Sequence, residues 1–215
     1  LSLFADVIIG DYNYAFDPRV YLKRFFEEKS EQITFLVDEA HNLLDRARSM
    51  FSAEIDASSF EHLTEGFAPI FPEIARKAGK AAQVLRGLQT ALPQSGRMVS
   101  EDYDPEIYKA IEAFRGACEK YLQDEEEIRK KEANKDRDAQ IQQAMMDTYF
   151  NSLAFMRIAE LYGRGYLTYA VSDEEDITYK LFCIHPAENL KAAATRADSS
   201  DSMAPSRARV TAGIS

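Results

Sequence analysis

The stretch Ile33-Thr34-Phe35-Leu36-Val37-Asp38-Glu39-Ala40-His41 constrains this chain more than any other. Its unbroken run of apolar and β-branched residues predicts a fully buried strand. Two adjacent carboxylates, with a histidine two positions further on, stand at the C-terminal end of that strand, and open α/β sheets hold their ligands beyond the carboxyl ends of strands. An apolar strand delivering Asp-Glu at its tip supplies what hydrolysis of a nucleoside triphosphate requires. One carboxylate holds Mg²⁺ through its water shell and the other orients the attacking water. The same letters also fit a surface strand-to-helix corner, where the helix dipole alone favours acidic residues.

The upstream segment Ala5-Asp6-Val7-Ile8-Ile9-Gly10-Asp11-Tyr12-Asn13-Tyr14-Ala15-Phe16-Asp17-Pro18 adds a second motif. Taken in order, the two segments resemble the DEAH box (Walker B motif) and the segment preceding it in DinG/XPD-like superfamily 2 DNA helicases. The resemblance is strong over residues 1 to 56, architectural over 57 to 165, weaker over 166 to 191 and absent after that. It implies that Asp38 is the metal residue, holding the Mg²⁺ that accompanies ATP. Glu39 then polarises the attacking water, and His41 links the site to neighbouring motor motifs. It further implies ATP hydrolysis coupled to DNA unwinding in repair or recombination, with single-stranded DNA passing between a helical arch and the motor domain. An iron–sulfur or cysteine-rich module stands upstream in that family, but this chain carries no ligands for one.

Around the strand the pattern predicts an α/β unit. Val7-Ile8-Ile9 reads as a short buried strand, and Asp17-Pro18 reads as a cap opening a helix through Val20, Tyr21, Phe25 and Phe26. A polar loop over 27 to 32 leads into the acidic-tipped strand, and Leu43, Leu44 and Ala47 predict a helix after it. Two parallel strands joined by a helix make a βαβ unit.

Beyond residue 56 helical spacing takes over. Ser58 with Glu61 forms a capping box, and Pro72 opens a helix with Ile74, Ala78, Ala81, Leu85, Leu88 and Leu92 on one stripe. Asp104-Pro105 opens another, with Ile107, Ile111, Phe114, Cys118 and Tyr121 aligned. A fourth stripe runs through Ile141, Met145, Tyr149, Leu153, Met156 and Leu161. The charged run from Asp124 to Arg137 between them predicts a solvated hairpin tip. Gly163 and Gly165 stop the last helix, and residues 166–171 and 177–184 read as a hairpin around an acidic turn. Leu181-Phe182-Cys183-Ile184-His185-Pro186 is similar to the helicase family's return strand, with His185 where that family usually has Asp. From Ala192 the periodicity vanishes, which predicts a disordered tail. The Ser-Ala-Thr or Ser-Gly-Thr motif that the family places after the return strand does not follow Ile184.

The chain has 215 residues, 46% of them hydrophobic, enough for a sizeable core. No apolar run approaches the ~20 residues of a membrane span, and no secretory leader pattern opens the sequence, so the cytoplasm is the expected location. Cys118 and Cys183 have neither metal-ligand nor disulfide spacing and read as buried small hydrophobes. The net charge of −10 argues against a surface that attracts nucleic acid everywhere, while leaving room for a local groove. Candidates for such a groove are Tyr12, Asn13 and Tyr14 with Arg19, Lys23 and Arg24, which combine rings, an amide and cations. The alternative is that the two tyrosines pack under the sheet and the cations are ordinary helix surface.

No G-x-x-x-x-G-K-S/T loop occurs in the chain; Gly79-Lys80 is followed by Ala81 within a helical pattern. The expected fold is therefore α/β, a partial P-loop NTPase (RecA-like) motor-domain sheet carrying a large arch-like helical insertion. The expected divisions are 1–56 motor with DEAH box, 57–165 helical insertion, 166–191 return strands and 192–215 tail. The remainder of the helicase motor would then be a missing partner, and the chain alone would be inactive. A non-catalytic helical interaction module with an inherited DEAH string is the rival expectation.

Overall fold

The computed structural model describes residues 7–22, 34–68, 71–123, 137–173, 175–195 and 209–212, with the side chains of 137–139 and 209–212 excepted. The chain is mixed α/β and divides into two compact units, one of residues 1–52 with 183–215 and one of residues 53–182.

The second unit is two layers. Its sheet contains β2 (Ala53–Asp56), β3 (Arg97–Ser100), β4 (Tyr166–Ser172) and β5 (Ile177–Cys183) in the spatial order β2-β5-β4-β3. β2 runs antiparallel to β5, with Glu54 opposite Lys180, and β3 runs antiparallel to β4, with Val99 opposite Tyr169. Alternation decides which face is buried. Tyr166, Thr168 and Ala170 on β4, and Ile177, Tyr179, Leu181 and Cys183 on β5, all point inward. The hairpin expected at 166–184 is thus present, closed by Asp173, whose carboxylate accepts the N–H groups of Glu175 and Asp176.

Four helices cover the inner face: α3 (Ala57–Phe67), α4 (Pro72–Ala91), α5 (Pro105–Gln123) and α6 (Arg137–Ala159). The proline of α4 sits in its first turn as expected. The predicted stripe of α5 is buried in full, from Ile107 through Tyr121. Its Phe114 meets Phe60 of α3 edge to face at 5.2 Å, and Tyr121 meets Phe71 at 4.1 Å. α6 folds back along α5: Gln142 Nε2 donates to Tyr121 Oη at 3.2 Å, and Tyr149 lies beside Cys118 and Glu119. Its buried face is rotated from the expected stripe. Met145, Thr148, Ser152, Phe155 and Met156 are inside, while Ile141, Tyr149, Leu153 and Leu161 are only half-buried. Thr148 and Ser152 carry hydroxyls, so an apolar stripe does not mark them as core. Each satisfies its hydroxyl on the carbonyl one turn back, at 2.8 and 2.7 Å. The run from Asp124 to Lys135 lies outside the described residues.

The cap of α3 also differs from expectation. Asp56 is the N-cap, accepting Ser59 N–H at 2.8 Å, and Ser58 instead donates its hydroxyl to Asp56. A clasp ties this end to α4 and the β4–β5 turn. Arg86 grips Glu61 with two bonds of 2.7 and 2.6 Å and reaches the Glu175 carbonyl at 3.0 Å.

The first unit contains α1 (Asn13–Phe16), β1 (Thr34–Val37), a single 3₁₀ turn (Ala40–Asn42), α2 (Leu43–Met50), α7 (Ala187–Thr195) and β6 (Arg209–Ala212). Several expectations are corrected here. Val7, Ile8 and Ile9 are exposed coil, Ile9 at 96%, so they make no βαβ unit with β1. Three apolar residues without flanking pattern are too few to specify a strand. The neighbour of β1 is β6, paired in parallel with Phe35 opposite Val210. β1 is not buried on both sides either: Leu36 is 81% exposed and only Val37 is inside. Asp17-Pro18 opens no helix within the described residues; the helical turn α1 precedes it. The nearly buried Asp17 accepts the Arg19 N–H in a turn. Two stretches of the expected tail have structure, since α7 runs to Thr195 with Ala193 fully buried and 209–212 form β6. Alanine's helix preference carries the first of these despite the missing stripe. Among the described residues no helix is long and apolar enough to cross a membrane.

Candidate active site

The acidic corner follows directly from the end of β1. The chain leaves the strand at Asp38, whose Oδ1 accepts the N–H of Glu39 at 2.9 Å, and turns sharply into the 3₁₀ turn. Glu39 makes that turn with φ 49° and ψ 40°, alone among the described non-glycine residues in a left-handed conformation. For an L-residue with a Cβ this costs roughly 1–2 kcal/mol, so the surrounding contacts must hold it.

Tyr12 is the clearest of those contacts. Its hydroxyl reaches back to the carbonyl of Asp38 and lies 3.2 Å from the carbonyl of Glu39. On the following turn His41 Nε2 stands 3.3 Å from Glu39 Oε2, with both side chains open to solvent. Asp38 is exposed and makes no ion pair among the described residues. The three residues expected from the strand pattern are therefore brought together at one corner.

An open depression of about 520 Å³ lies beside it, lined by Tyr12, Glu39, Asn42, Asp45, Arg46 and Ser49. Asn42, Asp45, Arg46 and Ser49 share one face of the helical stretch because they recur at three- and four-residue spacing. Asp45 pairs with Arg48 at 2.9 Å, whereas Arg46 is exposed and has no acidic partner among the described residues. Asn42 and Ser49 have no motif to mark them in the sequence; only their i, i+7 spacing places them on one face.

The residues proposed from sequence to touch nucleic acid are distributed differently. Tyr12 is committed to the acidic corner, Asn13 is half-buried in α1, and Tyr14 is 51% exposed. Arg19 forms a two-bonded pair with Asp17, at 2.8 and 2.7 Å. It serves a nearly buried carboxylate, so it is not an uncommitted surface cation. Lys23 and Arg24 lie outside the described residues.

The donor set fits Mg²⁺ only in one manner. Among the described residues no group of three or more His, Cys, Asp or Glu could hold a metal ion. Mg²⁺ accompanying a nucleotide, however, keeps much of its water and takes one or two carboxylates plus phosphate oxygens. The exposed Asp38, with one oxygen on the Glu39 amide and the other free of cations, suits that role.

Residues 1–60 match the sequence model of the DEAD_2 family, which points to DEAD/DEAH-type helicases. The match spans the whole acidic corner and Tyr12. The match is a likeness of this segment to the family and covers less than a third of the chain. No curated protein matches the chain.

Proposed function

We propose that the chain is the Walker B half of the first motor domain of an ATP-dependent DNA helicase of the DinG/XPD-like type, with the helices of residues 57–165 as its arch. In this reading β1 belongs to a RecA-like sheet, and ATP hydrolysis drives DNA unwinding in repair or recombination. The observation that carries it is the corner itself. Asp38 and Glu39 stand at the tip of a parallel-paired strand, inside the segment that matches DEAD_2.

Each residue then has a role set by its chemistry. Asp38 would hold the Mg²⁺ that accompanies ATP, and bound metal would neutralise charge on the terminal phosphates. Glu39 accepts the proton of the attacking water, which demands a carboxylate fixed in position. The left-handed turn and the Tyr12 hydroxyl position the backbone from which that carboxylate projects. His41, whose Nε2 stands 3.3 Å from Glu39 Oε2, would link the corner to neighbouring motor motifs. Because no phosphate-binding loop occurs in the 215 residues, the amides and lysine that cradle the triphosphate come from another segment.

Mg²⁺-dependent ATP binding tests this assignment. In a polypeptide joining residues 1–215 to a phosphate-binding loop, Asp38→Asn should weaken ATP·Mg²⁺ binding while leaving binding in EDTA unchanged. Equal loss with and without the metal would remove Asp38 from the metal site.

A further inference from the structure

The strand β3 ends the sheet order β2-β5-β4-β3, so one of its edges pairs with β4 and the other is open. In an antiparallel ladder the N–H and C=O groups that face a given neighbour belong to every second residue. Ser172 N–H donates to the Gly96 carbonyl at 2.8 Å, which puts the backbone groups of Met98 and Ser100 on the β4 side. Those of Arg97 and Val99 are thereby turned to the open edge. Such an edge is a template for a further strand, and proteins commonly blunt it with proline, a bulge or a run of charge. Residues 97–100 keep an unbroken register with β4, contain no proline, and present Val99 at 65% exposure.

The charges on either side of Val99 say which strand fits. Arg97 stands two residues before it and Glu101 two after; both are exposed, and neither has an ion pair among the described residues. An antiparallel copy of the same strand, set with Val99 opposite the partner's Val99, brings Arg97 opposite the partner's Glu101 and Glu101 opposite the partner's Arg97. Opposite charges placed directly across a ladder stabilise it, as does a pair of β-branched side chains. The backbone agrees with this register, because Val99 is one of the residues whose N–H and C=O face the open edge. The two Val99 residues can therefore exchange both hydrogen bonds across a two-fold axis. A slip of one residue sets Val99 against Met98, whose groups face β4, and a slip of two sets it against a charge. The chain bends at Glu101, whose carbonyl accepts the Tyr162 hydroxyl at 3.0 Å, so the meeting with Arg97 is between side chains alone.

We infer that the open edge of β3 pairs with β3 of a second copy of this chain, joining the two sheets into one, with Val99 at the two-fold axis and an Arg97–Glu101 pair on each side of it. Each copy uses the same edge, so the association closes at two and builds no filament. A strand of four residues makes a small contact, and each copy carries a net charge of −10, so the dimer is weak and reversible. This surface lies in the second unit, outside the residues that match DEAD_2, and it stands whether or not the helicase reading does.

The test is analytical ultracentrifugation of the 215-residue chain over a wide range of concentration. The parent should show a reversible monomer–dimer equilibrium. Val99→Pro removes an N–H that faces the open edge and none that β4 uses, so it should abolish the dimer while thermal melting stays near the parent's. Arg97→Glu and Glu101→Arg, each alone, set like charges opposite one another twice and should weaken dimerisation by about 10-fold or more. An equimolar mixture of these two variants should dimerise again, because the acidic edge of one meets the basic edge of the other. That rescue belongs to self-pairing in this register and keeps the test sharp even if Val99→Pro fails to fold. A parent that stays monomeric at every concentration would overturn the proposal, as would a dimer indifferent to Val99→Pro. A mixture that associates no better than its two components would overturn the Arg97–Glu101 pairing.

Discussion

The hydroxyl of Tyr12 lies 3.2 Å from the carbonyl oxygen of Glu39 and also reaches the carbonyl of Asp38, tying two segments that are 26 and 27 residues apart in sequence. A side chain that looks like a stacking ring in the sequence is instead a strut for the acidic corner. Tyr12→Phe keeps the ring and removes the strut. Local opening of residues 39–43 should become easier by about 1 kcal/mol, or roughly five-fold faster amide hydrogen exchange, with little change elsewhere. Unchanged exchange in this stretch would show that the hydroxyl holds nothing.

The left-handed Glu39 gives a second, separable expectation. Glycine adopts that conformation freely and alanine does not. Glu39→Gly should therefore be more stable than Glu39→Ala by about 1 kcal/mol in urea unfolding, although both lack the carboxylate. Equal stability would mean that the backbone at 39 is not held in the left-handed region.

Acid should loosen the clasp around Arg86. Its guanidinium, bonded twice to Glu61, holds that carboxyl below its ordinary value, with burial opposing and the bare charge of Arg86 adding to the effect. A depressed carboxyl contributes stability above its unfolded-state pKa, and that contribution is lost as pH falls through the folded-state value. Glu61 is 45% exposed, so solvent screening keeps the contribution to about 0.5–1 kcal/mol. Glu61→Gln should cost that much at pH 7 and nothing once both forms are protonated. Denaturation of the two proteins in steps from pH 7 downward reads the difference directly; a cost that does not shrink as pH falls would assign it to packing.

Cys118 sits fully buried between α5 and α6, and burial, aided by the charge of Glu119, pushes its thiol up to about 12. Only thiolate reacts readily. Folded protein should leave Cys118 unmodified by iodoacetamide at pH 8, with labelling appearing as urea unfolds the helices. Labelling at the rate of a free thiol in the native state would contradict the burial.

What the sequence made legible follows the length of each pattern. The stripe from Ile107 to Tyr121 spans four turns, so five aligned side chains left α5 no other face to bury. The hairpin of β4 and β5 announced itself by seven-residue strands around an acidic turn. β2 and β3 are four residues each, too short for alternation to stand out, and their partners lie far along the chain, as with Ser100 opposite Thr168 and Ala53 opposite Leu181. Asp38, Glu39 and His41 could be named because their spacing is local. The depression beside them could not, because Tyr12 reaches it from a separate segment. Val7 to Ile9 misled for the opposite reason: apolar character without periodicity says only that a partner is wanted, and the described residues provide none.

The most direct measurement of the central claim is ATP turnover by Glu39→Gln, made in a polypeptide that joins residues 1–215 to a phosphate-binding loop, with single-stranded DNA present. The amide preserves the shape of the corner but cannot take a proton from water. Turnover should fall by about 100-fold or more, in keeping with the loss of a general base, while ATP·Mg²⁺ affinity stays within a few-fold of the parent. Hydrolysis by Glu39→Gln at the parent's rate would contradict the assignment of this corner as the hydrolytic site.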